Sequence, residues 1–528
     1  MRLLSKIYTR IGPNSFVTTL AIIVVGIVLT ILSVNPITQF IFQKNFYGRN
    51  IYYQISFFIL VFLFFSFLLL GLFYFLGRFK WFTRIMNQLN NPFIRLWTKI
   101  KTEAPSRNIL LVTLIGIGVL FSFVLNNVLV LIDTHTWKFV TPPILPTMTP
   151  IGADFRAGFY KPAENLFVGK SFQEIWQNKI NTNAYPPLET LLGLLFLPFG
   201  ANTGYIIQVI LLLLSNIASL AIAVGLCKKY FLDDIGLEKT TAHLISVAIF
   251  FSITFYTFSS YGFTFSIERG NYDIYAILFS LLFLRVLIKT PQKLWVQVLL
   301  LSIATHLKIY PAILFVLLFK QHGRKMLLPT LITNLALLFI LGPNNALAFL
   351  TSSQSSFGIG NKWSWIGNHS SYSFVQNLIE VKLPNLTNSF IPLWIIFTVL
   401  PVIIWGVATI PLLKNKLTPQ SALLFFAISI PVMDLLPTVS HDYKLVIYSS
   451  AIVILIAAMV KCINLHPKRS DYLLLILLFF TLVFIGRSFV YPGLFNDIML
   501  TNKYPWAILL ELIILWGILK VRKVEASK

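Results

Sequence analysis

Apolar runs of 17 or more residues recur from one end of the chain to the other, among them FVTTLAIIVVGIVLTILSV (16–34) and YIIQVILLLLSNIASLAIAVG (205–225). At about 1.5 Å per helical residue, each can cross a hydrocarbon layer roughly 30 Å thick. In such a layer a helix satisfies every backbone N–H and C=O within its own segment. Charged residues make up only 11% of the 528 and hydrophobic ones 57%, too few charges to cover a water-soluble domain of this size. The sequence predicts an all-α polytopic membrane protein. The first run is too long for a signal-peptide core and lacks a small-residue cleavage site, so it reads as a retained helix.

Orientation follows from the basic residues, which favour the cytosolic ends of spans. With both termini in the cytosol, 28 of the 42 Lys and Arg fall inside and 14 outside; the opposite orientation inverts this bias. The predicted spans are 16–34, 53–77, 108–132, 203–226, 241–260, 271–288, a broken hairpin at 294–320, 326–341, 390–412, 419–437, 443–461, 472–490 and 504–520. Counting the hairpin twice gives 14, so the bundle is expected to hold about 12–14 transmembrane helices. The piece 187–199, with Pro186, Pro187 and Pro198 in and before it, is too short to span and is expected to be re-entrant or interfacial. The chain thus divides into N-terminal helices with a basic cytosolic loop (1–132), a large outer loop (133–202) and a C-terminal bundle (203–528) with a second outer loop at 342–389.

The net charge of +24 is scattered between apolar runs. This pattern fits topology and lipid head-group contacts and argues against nucleic acid. Cys227 and Cys462 both fall at cytosolic helix ends, so neither a disulfide nor a cysteine metal cluster is expected.

Most of the polar chemistry falls in the two outer loops: Asp154, Arg156, Tyr160, Lys161, Glu164 and Tyr185 in one, Asn361, Trp363, Trp365, Asn368 and His369 in the other. There is no glycine-rich phosphate loop, no HExxH and no soluble domain to hold a nucleotide, which argues against a cytosolic nucleotide-sugar donor. Asp154 is either a reactive carboxylate at the membrane border or the cap of a loop helix. The 14 residues from Leu294 to Leu307 make a helix of about 21 Å, so His306 and Lys308 are expected below the outer surface. A lysine at that depth needs a polar cavity, which a phosphate would suit, or it must snorkel to the interface. His441, Asp442 and Lys444 form another cluster at an outer helix start, for capping or for an anion. Arg269 precedes the helix 271–288, whose N-terminus also favours anions, with Glu268 as a candidate partner. Arg487 is a weaker candidate near an outer helix end.

The loop GADFRAGFYKPAENLFVGKSFQEIWQNKINTNAYPP (152–187) resembles the signature of glycosyltransferase family 87, polytopic GT-C-type enzymes that use polyprenyl-phosphate sugars. Asp154, Phe155, Tyr160, Gly169, Tyr185, Pro186 and Pro187 occupy the signature positions. In order along the chain, ERGNYD (268–273) resembles the family's Gly-Asn helix start and ATHLKIYPAILF (304–315) its Lys-x-Tyr-Pro segment. GNHSSYSF (367–374) is similar to its Asn-Gln-Ser motif, with His369 in place of the glutamine, and SHDYKLVIY (440–448) to its His-bearing helix entry. The resemblance covers about 150–450 and thins over 1–130, where two extra helices precede the loop.

It implies a GT-C-like bundle and an inverting transfer of a hexose, mannose above all, from a polyprenyl-phosphate donor to a lipid or glycan acceptor at the outer face of a bacterial cell membrane. One carboxylate, Asp154, would accept the proton of the acceptor hydroxyl. The leaving phosphate needs cations and hydrogen-bond donors but no general acid. Arg156, Tyr160, Tyr185, Arg269, Asn271, His306, Lys308, Tyr310, Asn368, His369, His441 and Lys444 are the expected donor-phosphate or substrate contacts. No cofactor is expected, and no metal, since the outer loops offer no DxD or paired-acid motif. A lipid-linked-glycan flippase or transporter, and an O-antigen-type polymerase or ligase, are the competing expectations. A transporter should show internal repeats, and none is evident.

Overall fold

The computed structural model describes residues 16–42, 51–76, 79–134, 151–169, 186–356, 367–487 and 502–526. Among these residues there is no β-strand, only an antiparallel bridge between Asn368 and His441. Helices occupy every predicted span: Phe16–Phe42, Ile51–Leu76, Ala104–Thr134, Gly200–Cys227, Lys239–Ser259, Asp273–Lys289, Leu294–Leu307 with Phe315–His322, Leu327–Leu338, Phe390–Leu413, Pro419–Leu435, Tyr448–Leu465, Arg469–Gly486 and Tyr504–Ala526. This is an all-α polytopic membrane protein.

Among the described residues seven helices are long and apolar enough to cross, or up to nine if each of two bent pairs is one span. Some of the expected spans are short or broken: Leu294–Leu307 has 14 residues and Pro419–Leu435 has 17, while Tyr261–Arg269 meets Asp273–Lys289 at 108°. The segment 342–389 is itself partly helical, at Pro343–Ser356 and Ser371–Lys382.

The chain forms two compact units, Met1–Leu110 and Leu111–Lys528. In the first, Phe16–Phe42 and Ile51–Leu76 pack together. The basic segment after them is a helix, Lys80–Thr102, with Trp81, Ile85 and Ile94 exposed among its lysines and arginines. Arg107 turns back to donate to the carbonyls of Ile100 and Lys101, satisfying the helix end.

In the second unit Tyr448–Leu465 is the central helix, buried along the whole of its apolar window. Gly200–Cys227, Lys239–Ser259, Pro419–Leu435, Arg469–Gly486 and Tyr504–Ala526 surround it. Phe390–Leu413 lies outermost, with Ile391, Ile395, Ile403 and Ile410 exposed, the surface a lipid-facing helix should offer. At one end of the unit Lys461 pairs with Asp234 at 3.0 Å and Glu525 at 3.1 Å, and Lys520 pairs with Asp471 at 2.6 Å. Lys461, Lys520 and the 228–239 turn, all assigned to one side by the basic bias, therefore do meet at one end. The 18 residues of Tyr448–Leu465, about 27 Å of helix, separate that end from the polar cluster described next. Cys227 and Cys462 are buried and free.

Candidate functional site

The cluster is built on a helix break. Tyr261–Arg269 ends at Gly270 in the left-handed region (φ 69°), with the amides of Gly270 and Asn271 donating to Ser266. Glycine takes that conformation without a Cβ penalty. A Cβ at Gly270 would also lie 2.8 Å from Phe155 Cβ. Helix Gly200–Cys227 grips the break: the Tyr205 hydroxyl donates to the carbonyls of Ile267 (3.0 Å) and Glu268 (3.1 Å), and Gln208 Nε2 to Gly270 (3.2 Å). The 151–154 turn docks here too, with the Gly152 amide donating to the Glu268 carbonyl at 2.7 Å.

That docking delivers Asp154. Its Oδ1 accepts from Arg269 Nη2, and its Oδ2 from Asn271 Nδ2 at 3.0 Å. The carboxylate is 6% exposed. It makes no capping bond to the π-helical turn Phe155–Tyr160 that follows, so its partners lie across the fold and not in its own helix. Arg269 pairs with Asp154, while its neighbour Glu268 is held mainly by its backbone.

Cations converge beside this carboxylate. Lys308 ends Leu294–Leu307 in extended conformation. The carboxylates of Glu189, Asp273 and Asp154 lie within electrostatic reach of its ammonium. The Tyr310 hydroxyl donates to Asp273 Oδ1 at 2.8 Å. Lys444 Nζ lies 5.7 Å from the Tyr310 ring centre and donates to the Val439 carbonyl at 2.9 Å. The His441 imidazole is pushed down to about 3 by burial and by Lys444, Arg269, His369 and Lys308. It is a neutral ring where positive fields overlap, and an anion there would relieve that field.

The loop carrying His441 is locked by residues expected to touch substrate. His369 is fully buried, with Nε2 2.8 Å from Asp434 and Nδ1 2.9 Å from Asp442. Ser440 and Tyr448 hydroxyls also donate to Asp434, at 2.7 and 3.0 Å. Asn368 Oδ1 accepts from the amides of Ser440 (2.8 Å) and Ser370 (3.2 Å). With both ring nitrogens of His369 and the Asn368 amide oxygen engaged, these two side chains position the 438–442 segment.

Other expected contacts lie elsewhere. Arg156 donates to the Ile151 carbonyl at 3.1 Å and to Asn202 at 2.6 Å, tying its own turn together. His306 is half-buried against Asn334. The Tyr160 ring lies 6.0 Å from that of Phe155. Tyr185, Asn361, Trp363 and Trp365 lie outside the described residues. Three acids escaped the sequence reading. Glu189 and Asp434 are each the lone acid of an otherwise apolar stretch, itself a signal of function, and Asp273 was quoted within a motif but not singled out. Among the described residues no three His, Cys, Asp or Glu side chains gather as a metal-binding group.

The chain matches no protein-family model, no curated protein and no solved structure.

Proposed function

We propose that the protein is a GT-C-type glycosyltransferase. It moves a hexose, mannose by the family resemblance, from a polyprenyl phosphate to a lipid or glycan acceptor, with inversion, at the outer face of a bacterial cell membrane with both termini cytosolic. One observation carries the reading: a buried carboxylate, Asp154, is oriented by Arg269 and Asn271 from more than a hundred positions away, with Lys308 in electrostatic reach. A carboxylate can accept about four hydrogen bonds, so two are left for an incoming hydroxyl.

In the reaction the acceptor oxygen forms a bond to the anomeric carbon as the bond to the phosphate oxygen breaks. The acceptor proton passes to Asp154, and the electron pair leaves on the polyprenyl phosphate. Lys308, Lys444 and Arg269 supply the positive field for that leaving group. The separation of this cluster from the lysine-rich end supports an outward-facing site.

The test is transfer by purified protein in lipid nanodiscs, using a panel of radiolabelled polyprenyl-phosphate sugars and membrane-lipid acceptors. Asp154→Asn keeps the Arg269 contact but cannot take a proton; transfer should fall about 10²–10⁴-fold while donor binding persists. Near-normal transfer by this variant would remove Asp154 as the base. Wild-type protein that moves lipid-linked glycans across the bilayer without forming a glycosidic bond would favour the transporter reading.

A further inference from the structure

Glu189 is fully buried, and neither carboxylate oxygen has a hydrogen-bond partner among the described residues. Away from bulk solvent, leaving both oxygens unmatched is costly. The structure nevertheless enforces this position. Gly193 approaches the backbone of the Phe155–Tyr160 turn so closely that a Cβ would lie 2.4 Å from the Phe159 carbonyl oxygen. Glu189 lies one helical turn before Gly193 and so on the same face of Pro187–Gly193. The Phe159 ring in turn stacks on Tyr272 at 3.9 Å and 10°. This chain of contacts brings Glu189 within electrostatic reach of Tyr272, Asp273, Lys308 and Asp154.

Two neighbours share its condition. Asp273 Oδ2 and the Tyr272 hydroxyl are buried and also have no hydrogen-bond partner among the described residues. Three carboxylate oxygens and one phenol thus lie together, rich in acceptors and poor in donors. A ligand that completes them must bring several O–H donors and no negative charge of its own at that point. A sugar ring with adjacent free hydroxyls meets both conditions, and a uronic acid fails the second.

We infer that Glu189, Asp273 and Tyr272 form the subsite that holds the hydroxyls of the transferred sugar, and that this sugar is a neutral hexose. The inference rests on the transferase reading above. Glu189 is then a specificity residue, with Lys308 beside it on the phosphate side.

The test is competition binding to the full-length protein in nanodiscs. The probes are polyprenyl-phosphate mannose, its 2-, 3-, 4- and 6-deoxy analogues, polyprenyl-phosphate glucuronic acid and sugar-free polyprenyl phosphate. Wild-type protein should lose about 10- to 100-fold in affinity for at least one deoxy analogue, the range for leaving a buried hydrogen-bonding group unsatisfied, and as much for the glucuronic acid donor. Glu189→Gln should lose a similar factor for the full donor and nothing further for that deoxy analogue, since the partner atom is already gone. Both proteins should bind the sugar-free lipid equally. Equal weakening of the sugar-free and glycosylated lipids by Glu189→Gln would overturn the inference, because Glu189 would then serve Lys308. A wild-type series with no difference among deoxy analogues would overturn it without any variant, even where Glu189→Gln does not fold. Failure of wild-type protein to bind any of these lipids would instead reject the transferase reading itself.

Discussion

The His369 lock makes a prediction that needs no substrate. Both ring nitrogens face carboxylates, at 2.8 and 2.9 Å, and carboxylates only accept, so both nitrogens donate and the ring is an imidazolium. Burial opposes the charge, but Asp434 and Asp442 outweigh it and hold the pKa up at about 9, against roughly 6.5 in an unfolded chain. A pKa raised by folding gives stability that is complete below about pH 6.5 and is lost as pH rises through about 9. The difference corresponds to about 3 kcal/mol. Lys503 works in the opposite sense at the top of this window. Burial, partly countered by Asp442, pushes it down to about 8, so stability returns as pH climbs from about 8 towards its unfolded value near 10.4. The clean readout is the thermal midpoint of wild type minus His369→Gln in detergent between pH 6.5 and 8. The wild type should lose its lead over the variant steadily as pH rises. The variant should be less stable at pH 6.5 by about 3–5 kcal/mol, since it leaves buried carboxylates without their cation. A difference that stays constant across that range would refute the imidazolium assignment.

Gly193→Ala should destabilise the protein by about 1–3 kcal/mol, seen as a lower thermal midpoint, because its Cβ would lie 2.4 Å from the Phe159 carbonyl; Gly225→Ala, with nothing within 4 Å, is the neutral control. Val168→Cys, 63% exposed on the side of the site, should react with an impermeant maleimide on intact cells, and Lys416→Cys only after permeabilisation. The reversed pattern would put the site on the cytosolic leaflet. Lys308→Met should weaken donor binding by about 1.5–3 kcal/mol, the worth of a hydrogen bond to a charged group; unchanged affinity in a folded protein would place the phosphate elsewhere.

The helices were legible because a 20-residue apolar run has one stable arrangement in lipid, whatever its neighbours. The breaks were legible for the same local reason: Gly270, Asn271 and Pro311 interrupt apolar patterns, and the structure turns there. Asp154, Arg269 and Lys308 stood out as charges that such a chain should not carry without cause. Their pairing was not legible. Glu268 is adjacent to Arg269 in sequence, yet the guanidinium bonds Asp154 across 115 positions, a choice made by Tyr205 and Gln208 holding the break. Asn368 and His369 were legible as polar and special, but not as parts of the scaffold. That assignment depends on Asp434, which approaches from another helix.

The polar residues of the cluster sit at helix breaks because the intact helices have no room for them. A full helix in lipid satisfies its own backbone and presents apolar side chains, whereas a broken one frees amides and carbonyls that polar side chains must meet. How closely those breaks approach is set by residues without side chains. Gly152 admits the Tyr205 ring, Gly193 meets the Phe159 carbonyl, Gly262 lets Tyr261–Arg269 close on Asp442 and Leu445, and Gly270 accepts Phe155. Each approach would be blocked by a single Cβ, and each helps place a side chain of the cluster: Asp154 through Gly152, Glu189 through Gly193, Arg269 through Gly262 and Gly270. Glycines let helices pack backbone to backbone in a membrane, so here four glycines set the distances among the acids and bases. Substitution of any of the four should therefore disturb charge geometry before it disturbs the span that carries it.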